Sequence, residues 1–129
     1  MVRERIIKQI KKDFQFIKGN PKILGLLLYG SHLRDDAIDP RDIDICIVSP
    51  HQNLYAMYQY VMSNLKSHIG DYDIRFFEEL PLHIKGPIME EGIIIYSPDE
   101  SALYEYFFFS ARKEWEDHKF RMKYIIEKI

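Results

Sequence analysis

Two acids, Asp42 and Asp44, flank Ile43 at the start of an apolar run, Ile43 to Val48, and follow a Gly-Ser pair, Gly30-Ser31, by some ten residues. In a strand, residues i and i+2 point to the same face. Asp42 and Asp44 therefore project together, with Ile43 and Ile45 turned the other way. Carboxylates held side by side repel unless a cation lies between them. A hard divalent ion such as Mg²⁺ takes oxygen ligands and keeps room for substrate phosphates. Gly30 and Ser31 close a second apolar run, and a Gly-Ser turn offers backbone N–H groups and a hydroxyl to a phosphate. The combination describes a nucleotide-phosphate site with metal.

If such a site transfers a nucleotide, it needs a third acid. A hydroxyl loses its proton as it attacks the α-phosphorus, and pyrophosphate leaves in line. Two metal ions about 3.5–4 Å apart stabilise both oxygens, and a carboxylate on a neighbouring strand would complete their cage and assist deprotonation. Asp71 and Asp73 are the candidates. Asp71 follows Gly70 and reads as turn chemistry. Asp73 lies in Tyr72-Asp73-Ile74-Arg75-Phe76, where it alternates with apolar residues. Arg34 falls one helical turn after Ser31, close enough to neutralise phosphate charge or to pair with Asp35, Asp36 or Asp39. Arg75 shares a strand face with Asp73 and either meets nucleotide or holds that acid.

Positioning these groups takes a sheet. Ile6, Ile7, Ile10, Phe14 and Ile17 recur at helical spacing and predict an amphipathic helix over 3–18, stopped by Gly19-Asn20-Pro21. Ile23 to Tyr29 reads as a buried strand, Ser31 to Asp36 as a capped helical turn, and Ile43 to Val48 as the second strand. Leu54, Met57, Tyr58, Val61 and Leu65 predict a helix running to about His68. Tyr72 to Phe77 reads as a third strand, with Ile74 and Phe76 facing away from Asp73. A short helix follows from Leu80-Pro81 towards Met89, irregular at Gly86-Pro87. Ile93 to Tyr96 is a fourth strand, and Ser97 to Asp99 cap a long helix over 100–127. The expected class is α+β: one mixed sheet of about four strands with helices packed on it, in a single domain spanning 1–129.

Composition bounds the rest. The 129 residues are 47% apolar and 29% charged, with a net charge of −2. That suits one packed domain and gives no basic excess for binding duplex nucleic acid. The basic N-terminal residues read as a solvated helix face. Cys46 is the single cysteine, expected as a buried, inert thiol in a reducing interior. No apolar run approaches a membrane span and no leader is visible, so the expected location is cytoplasmic. The five histidines lack metal-ligand spacing. The aromatic start of the last helix (Tyr104, Tyr106, Phe107, Phe108, Phe109, Trp115) cannot face one core only. Either it offers a side to a second chain, a partner or another copy, or the N-terminal helix clasps it.

The Gly-Ser, ten-residue gap and Asp-apolar-Asp pattern resembles the DNA polymerase β-type nucleotidyltransferase superfamily, and more closely the small minimal nucleotidyltransferases of archaea and bacteria. Their motif reads Gly-Ser-x-Ala-Arg-Gly, a short loop, then Ser-Asp-Ile-Asp-Leu. Gly30, Ser31, Arg34, Asp42 and Asp44 match it; Leu33, Asp35 and Arg41 replace Ala, Gly and Ser. The resemblance covers about 23–96 and includes Asp73, in the apolar-Asp-apolar strand where the family carries its third acid. It implies a Mg²⁺-dependent enzyme in which Asp42, Asp44 and Asp73 hold two metal ions and Gly30, Ser31 and Arg34 contact the phosphates of an NTP. It further implies ATP as donor and, as acceptor, a hydroxyl on a HEPN-type toxin for which this chain is the antitoxin. Asp35, an added negative charge beside the phosphate site, motivates a rival: a catalytically weak module acting by protein contact. A small-molecule or RNA acceptor is a third option, disfavoured by the near-neutral charge and the lack of an acceptor domain.

Overall fold

The computed structural model describes residues 2–30, 43–65 and 69–128. Ser31, Arg34 and Asp42, with the turn expected after Ser31, lie outside them.

Four strands form one sheet in the order β3-β2-β1-β4. They are β1 (Gly25–Tyr29), β2 (Ile43–Val48), β3 (Tyr72–Phe76) and β4 (Ile93–Tyr96). β1 is antiparallel to both β2 and β4, while β2 and β3 run parallel. The parallel pair requires a crossover, and helix α2 (Leu54–Asn64) supplies it. The class matches expectation, a mixed sheet with helices on it.

Helices cover both faces, and strand alternation sorts the core accordingly. Helix α1 (Val2–Asp13) and α2 pack over Leu26, Leu28, Ile43, Ile45, Ile47, Ile74 and Phe76. Helices α3 (Leu82–Glu91) and α4 (Glu100–Phe107) pack over Leu27, Cys46, Val48 and Phe77. Central strands covered on both sides must be apolar throughout, which explains the unbroken runs of β1 and β2. β3 is an edge strand, and its burial alternates: Asp73 and Arg75 are exposed, while Tyr72, Ile74 and Phe76 are buried. Cys46 is fully buried, and burial pushes its thiol pKa well up.

Two helix boundaries depart from the expected ones. α1 ends at Asp13, and a short 3₁₀ turn at Gln15–Ile17 replaces its last turn. Phe14 leaves helical geometry there and lodges edge-on against Tyr72, ring centroids 5.1 Å apart. α2 stops at Asn64 because Leu65 turns extended and drops into the core. α3 continues unbroken across Gly86-Pro87. Pro87 lies exposed inside the helix, and Gly86 fits beneath the Trp115 indole.

The final helix is continuous but not uniform. Asp99 caps α4, its side chain accepting from Ala102 N at 3.1 Å. A π-turn at Phe108–Arg112 then leads into α5 (Lys113–Lys128). Leu103, Phe107 and Ala111 are buried, whereas Tyr104, Phe108 and Phe109 are exposed. α1 does not clasp this helix: the two lie on opposite faces of the sheet.

Candidate active site

Strand register brings the acids together. In the parallel β2–β3 pair, Asp44 is the direct partner of Asp73. In the antiparallel β1–β2 pair, Tyr29 is the direct partner of Asp44. Directly paired residues share a sheet face, and neighbouring strands lie about 4.8 Å apart. Tyr29, Asp44 and Asp73 therefore form a row across three strands, on the face that carries Leu27, Cys46 and Val48 further in. Asp71 falls in a 3₁₀ turn before β3, as its turn reading anticipates.

Gly30 ends β1 beside this row. Its φ is +78°, a conformation that disfavours any side chain. A β-carbon there would fall on the carboxylate of Asp44, within 3.1 Å of its Cγ. The glycine thus serves both as a turn and as the gap that admits Asp44.

Asp73 is half-exposed and accepts a hydrogen bond from Arg75 Nε at 3.0 Å. That bond pushes the Arg75 pKa higher still. Of its two expected roles, Arg75 performs the holding one here. Tyr29 is partly buried; burial first, and then the charge of Asp44, push its phenol pKa well above the ordinary value. The phenol therefore stays a neutral hydrogen-bond donor at the edge of an acidic row. Sequence reasoning missed Tyr29. Its signal was the position immediately before Gly30, and only the β1–β2 register shows that it faces Asp44.

The next acids along the chain serve the fold. Glu78 accepts from Ser49 N and from the Tyr106 hydroxyl, at 3.1 and 2.8 Å, tying β2 to α4. Glu79 accepts from Phe76 N at 3.0 Å.

The described residues include two of the three proposed metal ligands. They hold no cluster of three or more metal-binding side chains. Asp44 and Asp73 alone still fit a divalent cation: hard oxygen donors, in register, on one face.

Residues 8–101 match the family described as polymerase beta, nucleotidyltransferase, which is most of the chain. The chain belongs to the polymerase β nucleotidyltransferase family. A Methanocaldococcus jannaschii protein, provisionally named a protein adenylyltransferase, is 38% identical over 102 residues, or 79% of this chain and 77% of that one. This nucleotidyltransferase also shares its fold with solved toxin–antitoxin structures. One, a toxin–antitoxin with AMP-PNP, aligns with a TM-score of 0.58 at 18% identity over 99% of this chain and 98% of that one. Another, the tri-AMPylated Shewanella oneidensis HEPN toxin in complex with MNT antitoxin, aligns at 0.55 and 18% over 98% and 97%. No helix among the described residues is long and apolar enough to cross a membrane.

Proposed function

We propose that this nucleotidyltransferase moves AMP from ATP to a hydroxyl on a HEPN-type partner protein, as the antitoxin of a toxin–antitoxin pair in the cytoplasm. The observation that carries the reading is the Asp44–Asp73 register pair beside Gly30. The 38% identical relative, provisionally named a protein adenylyltransferase, supports the reaction class. The toxin complexes of the same fold support the partner.

Asp42, Asp44 and Asp73 would hold two Mg²⁺ ions, whose contribution is charge neutralisation on the phosphates and on the attacking and leaving oxygens. The chain's own groups do the rest. Gly30 and Ser31 seat the β- and γ-phosphates against backbone N–H groups, with Arg34 on the same anion. Asp73 faces solvent at the sheet edge, where an acceptor hydroxyl arrives, and takes up its proton. The acceptor oxygen bonds to the α-phosphorus as the bond to the pyrophosphate oxygen breaks.

The partner needs a surface. α5 buries none of its side chains, and Phe120, Met122, Tyr124, Ile125 and Ile126 are all exposed. These side chains ring the helix, and so much exposed apolar surface marks an interaction site. We assign this one to the HEPN-type partner; a second copy of this chain is the alternative occupant.

The test is ATP labelled at the α-phosphate, incubated with Mg²⁺ and the co-purified partner, beside Asp44→Asn. Label on the partner, lost in the variant, is the expected result. A variant that transfers no label yet keeps full antitoxin effect would overturn the enzymatic reading in favour of a contact-only module.

A further inference from the structure

The strand that carries Asp73 is gripped by side chains on the flank that faces away from β2. β3 bonds to β2 on its other flank. In a strand the N–H and C=O of one residue point to the same flank, and successive residues alternate. Phe76 N–H donates to Glu79 Oε1 at 3.0 Å, so it points away from β2. Ile74, two residues earlier, points the same way, and the Tyr58 hydroxyl donates to its carbonyl. Tyr58 comes from the middle of α2, and its ring also packs on Phe76, with centroids 5.3 Å apart. Burial raises the Tyr58 pKa, so the phenol stays a donor at neutral pH.

These two bonds bracket one residue. The Ile74 carbonyl belongs to the peptide plane before Arg75, and the Phe76 N–H to the plane after it. Fixing both planes fixes the two backbone dihedrals of Arg75, and with them the direction in which its side chain leaves the strand. That side chain is half-exposed, so packing does little to aim it, yet its Nε donates to Asp73 Oδ1 at 3.0 Å. A carboxylate held through Oδ1 presents Oδ2 in a set direction. A chain of contacts thus runs from α2 to the acid: the Tyr58 hydroxyl, the Ile74 carbonyl, the backbone and guanidinium of Arg75, and Asp73.

We propose that Tyr58 is a positioning residue for nucleotidyl transfer, anchoring the edge of β3 so that Arg75 aims the Asp73 carboxylate at the acceptor hydroxyl. The inference rests on the reading of Asp73 as the acid that takes up the acceptor proton. It gives a role in the reaction to a helix on the opposite face of the sheet from that acid. A proton acceptor works only within hydrogen-bond reach of its proton, and a misplacement of about 1 Å can cost about 10²-fold in rate.

The test is single-turnover transfer from α-labelled ATP to the co-purified partner, with ATP affinity and melting curves. The variants are Tyr58→Phe, Arg75→Gln, the double variant and Tyr60→Phe. Tyr60→Phe is the matched control: the Tyr60 hydroxyl donates from the same helix to Phe16 O at 3.1 Å, away from β3. Both phenylalanine variants should melt slightly earlier. Tyr58→Phe should transfer at least about tenfold more slowly with ATP affinity unchanged, and Tyr60→Phe should transfer as wild type does. Adding Tyr58→Phe to Arg75→Gln should cost nothing further, since both act through one guanidinium. In ¹⁵N spectra the Arg75 Nε–H should exchange with solvent faster in Tyr58→Phe than in wild type. A wild-type rate in Tyr58→Phe, or additive losses in the double variant, would overturn the inference and leave the transferase reading intact. Equal slowing in Tyr60→Phe would reduce the effect to a general loss of stability and overturn it too. Should Asp73→Asn transfer at the wild-type rate, or wild type transfer no label, the reading of Asp73 and this inference fall together.

Discussion

The carboxylate of Asp44 occupies the space in which Gly30 would otherwise carry a β-carbon. The residue that follows β1 is thereby fitted to one in β2, and the end of β1 is locked to an acid of the site. Gly30→Ala should fail twice, from a side chain at φ +78° and from collision with that carboxylate. The expected cost is about 1–3 kcal/mol of stability, the scale of forced backbone strain. ATP affinity should fall as well. Melting curves and calorimetry check this; a well-folded variant with unchanged ATP affinity would contradict it.

Asp73→Asn should lower transfer by about 10²–10⁴-fold, the range for a lost general base, without unfolding the chain, because the side chain is half-exposed on an edge strand. Arg75→Gln should shift stability by less than about 1 kcal/mol, as exposed ion pairs contribute little. Single-turnover rates and melting curves separate the two effects.

Alkaline pH should destabilise the protein. Burial pushes the phenols of Tyr29, Tyr58, Tyr72 and Tyr106 above their ordinary value of 10, helped at Tyr72 by its bond to Asp13 and at Tyr106 by its bond to Glu78. Above that pH the unfolded chain releases protons that the folded chain retains, so unfolding gains as pH rises. The stabilisation is complete below pH 10 and fades above it, with Cys46 adding to the loss from about its ordinary value of 9.0. Tyrosinate absorbance should show these four phenols silent until the fold melts; free titration of all nine tyrosines near pH 10 would contradict the burial.

Gly86→Ala should dislodge α5. A β-carbon at Gly86 would collide with the Trp115 indole, which also donates to Glu90, the same carboxylate that Lys119 Nζ approaches at 2.6 Å. Overpacking of this kind costs about 1–3 kcal/mol. Trp115 is the only tryptophan, so a red-shifted emission with earlier proteolysis after Lys113 would report its release.

What could be read in advance was whatever depended on local pattern. Ile43–Val48 and Ile93–Tyr96 fall where continuous apolar runs predict strands, and Asp73 alternates with buried Ile74 and Phe76 as its period of two requires. Helix ends were harder, because tertiary contacts set them. Phe14 abandons α1 for Tyr72, and Leu65 abandons α2 for the core, each against local helical periodicity. The site divided in the same way. Asp44 and Asp73 were legible as types and spacings, but their direct pairing is a register, which depends on how two distant segments align. Tyr29 was invisible for that reason: it has no spacing relation to Asp44.

The π-turn at Phe108–Arg112 acts as a phase adjuster. A π-type bond spans one residue more than an α-type bond, and one residue corresponds to about 100° around a helix. Everything downstream is rotated by that increment, and Trp115 faces Gly86 only in the rotated setting. Deleting a single residue within 108–112 would yield a smoother helix aimed wrongly: the indole would swing off α3, and Phe120, Met122 and Ile126 would turn with it. For this segment, chain length is an angular coordinate, and an insertion or deletion redirects the exposed surface of α5 without altering any residue on it.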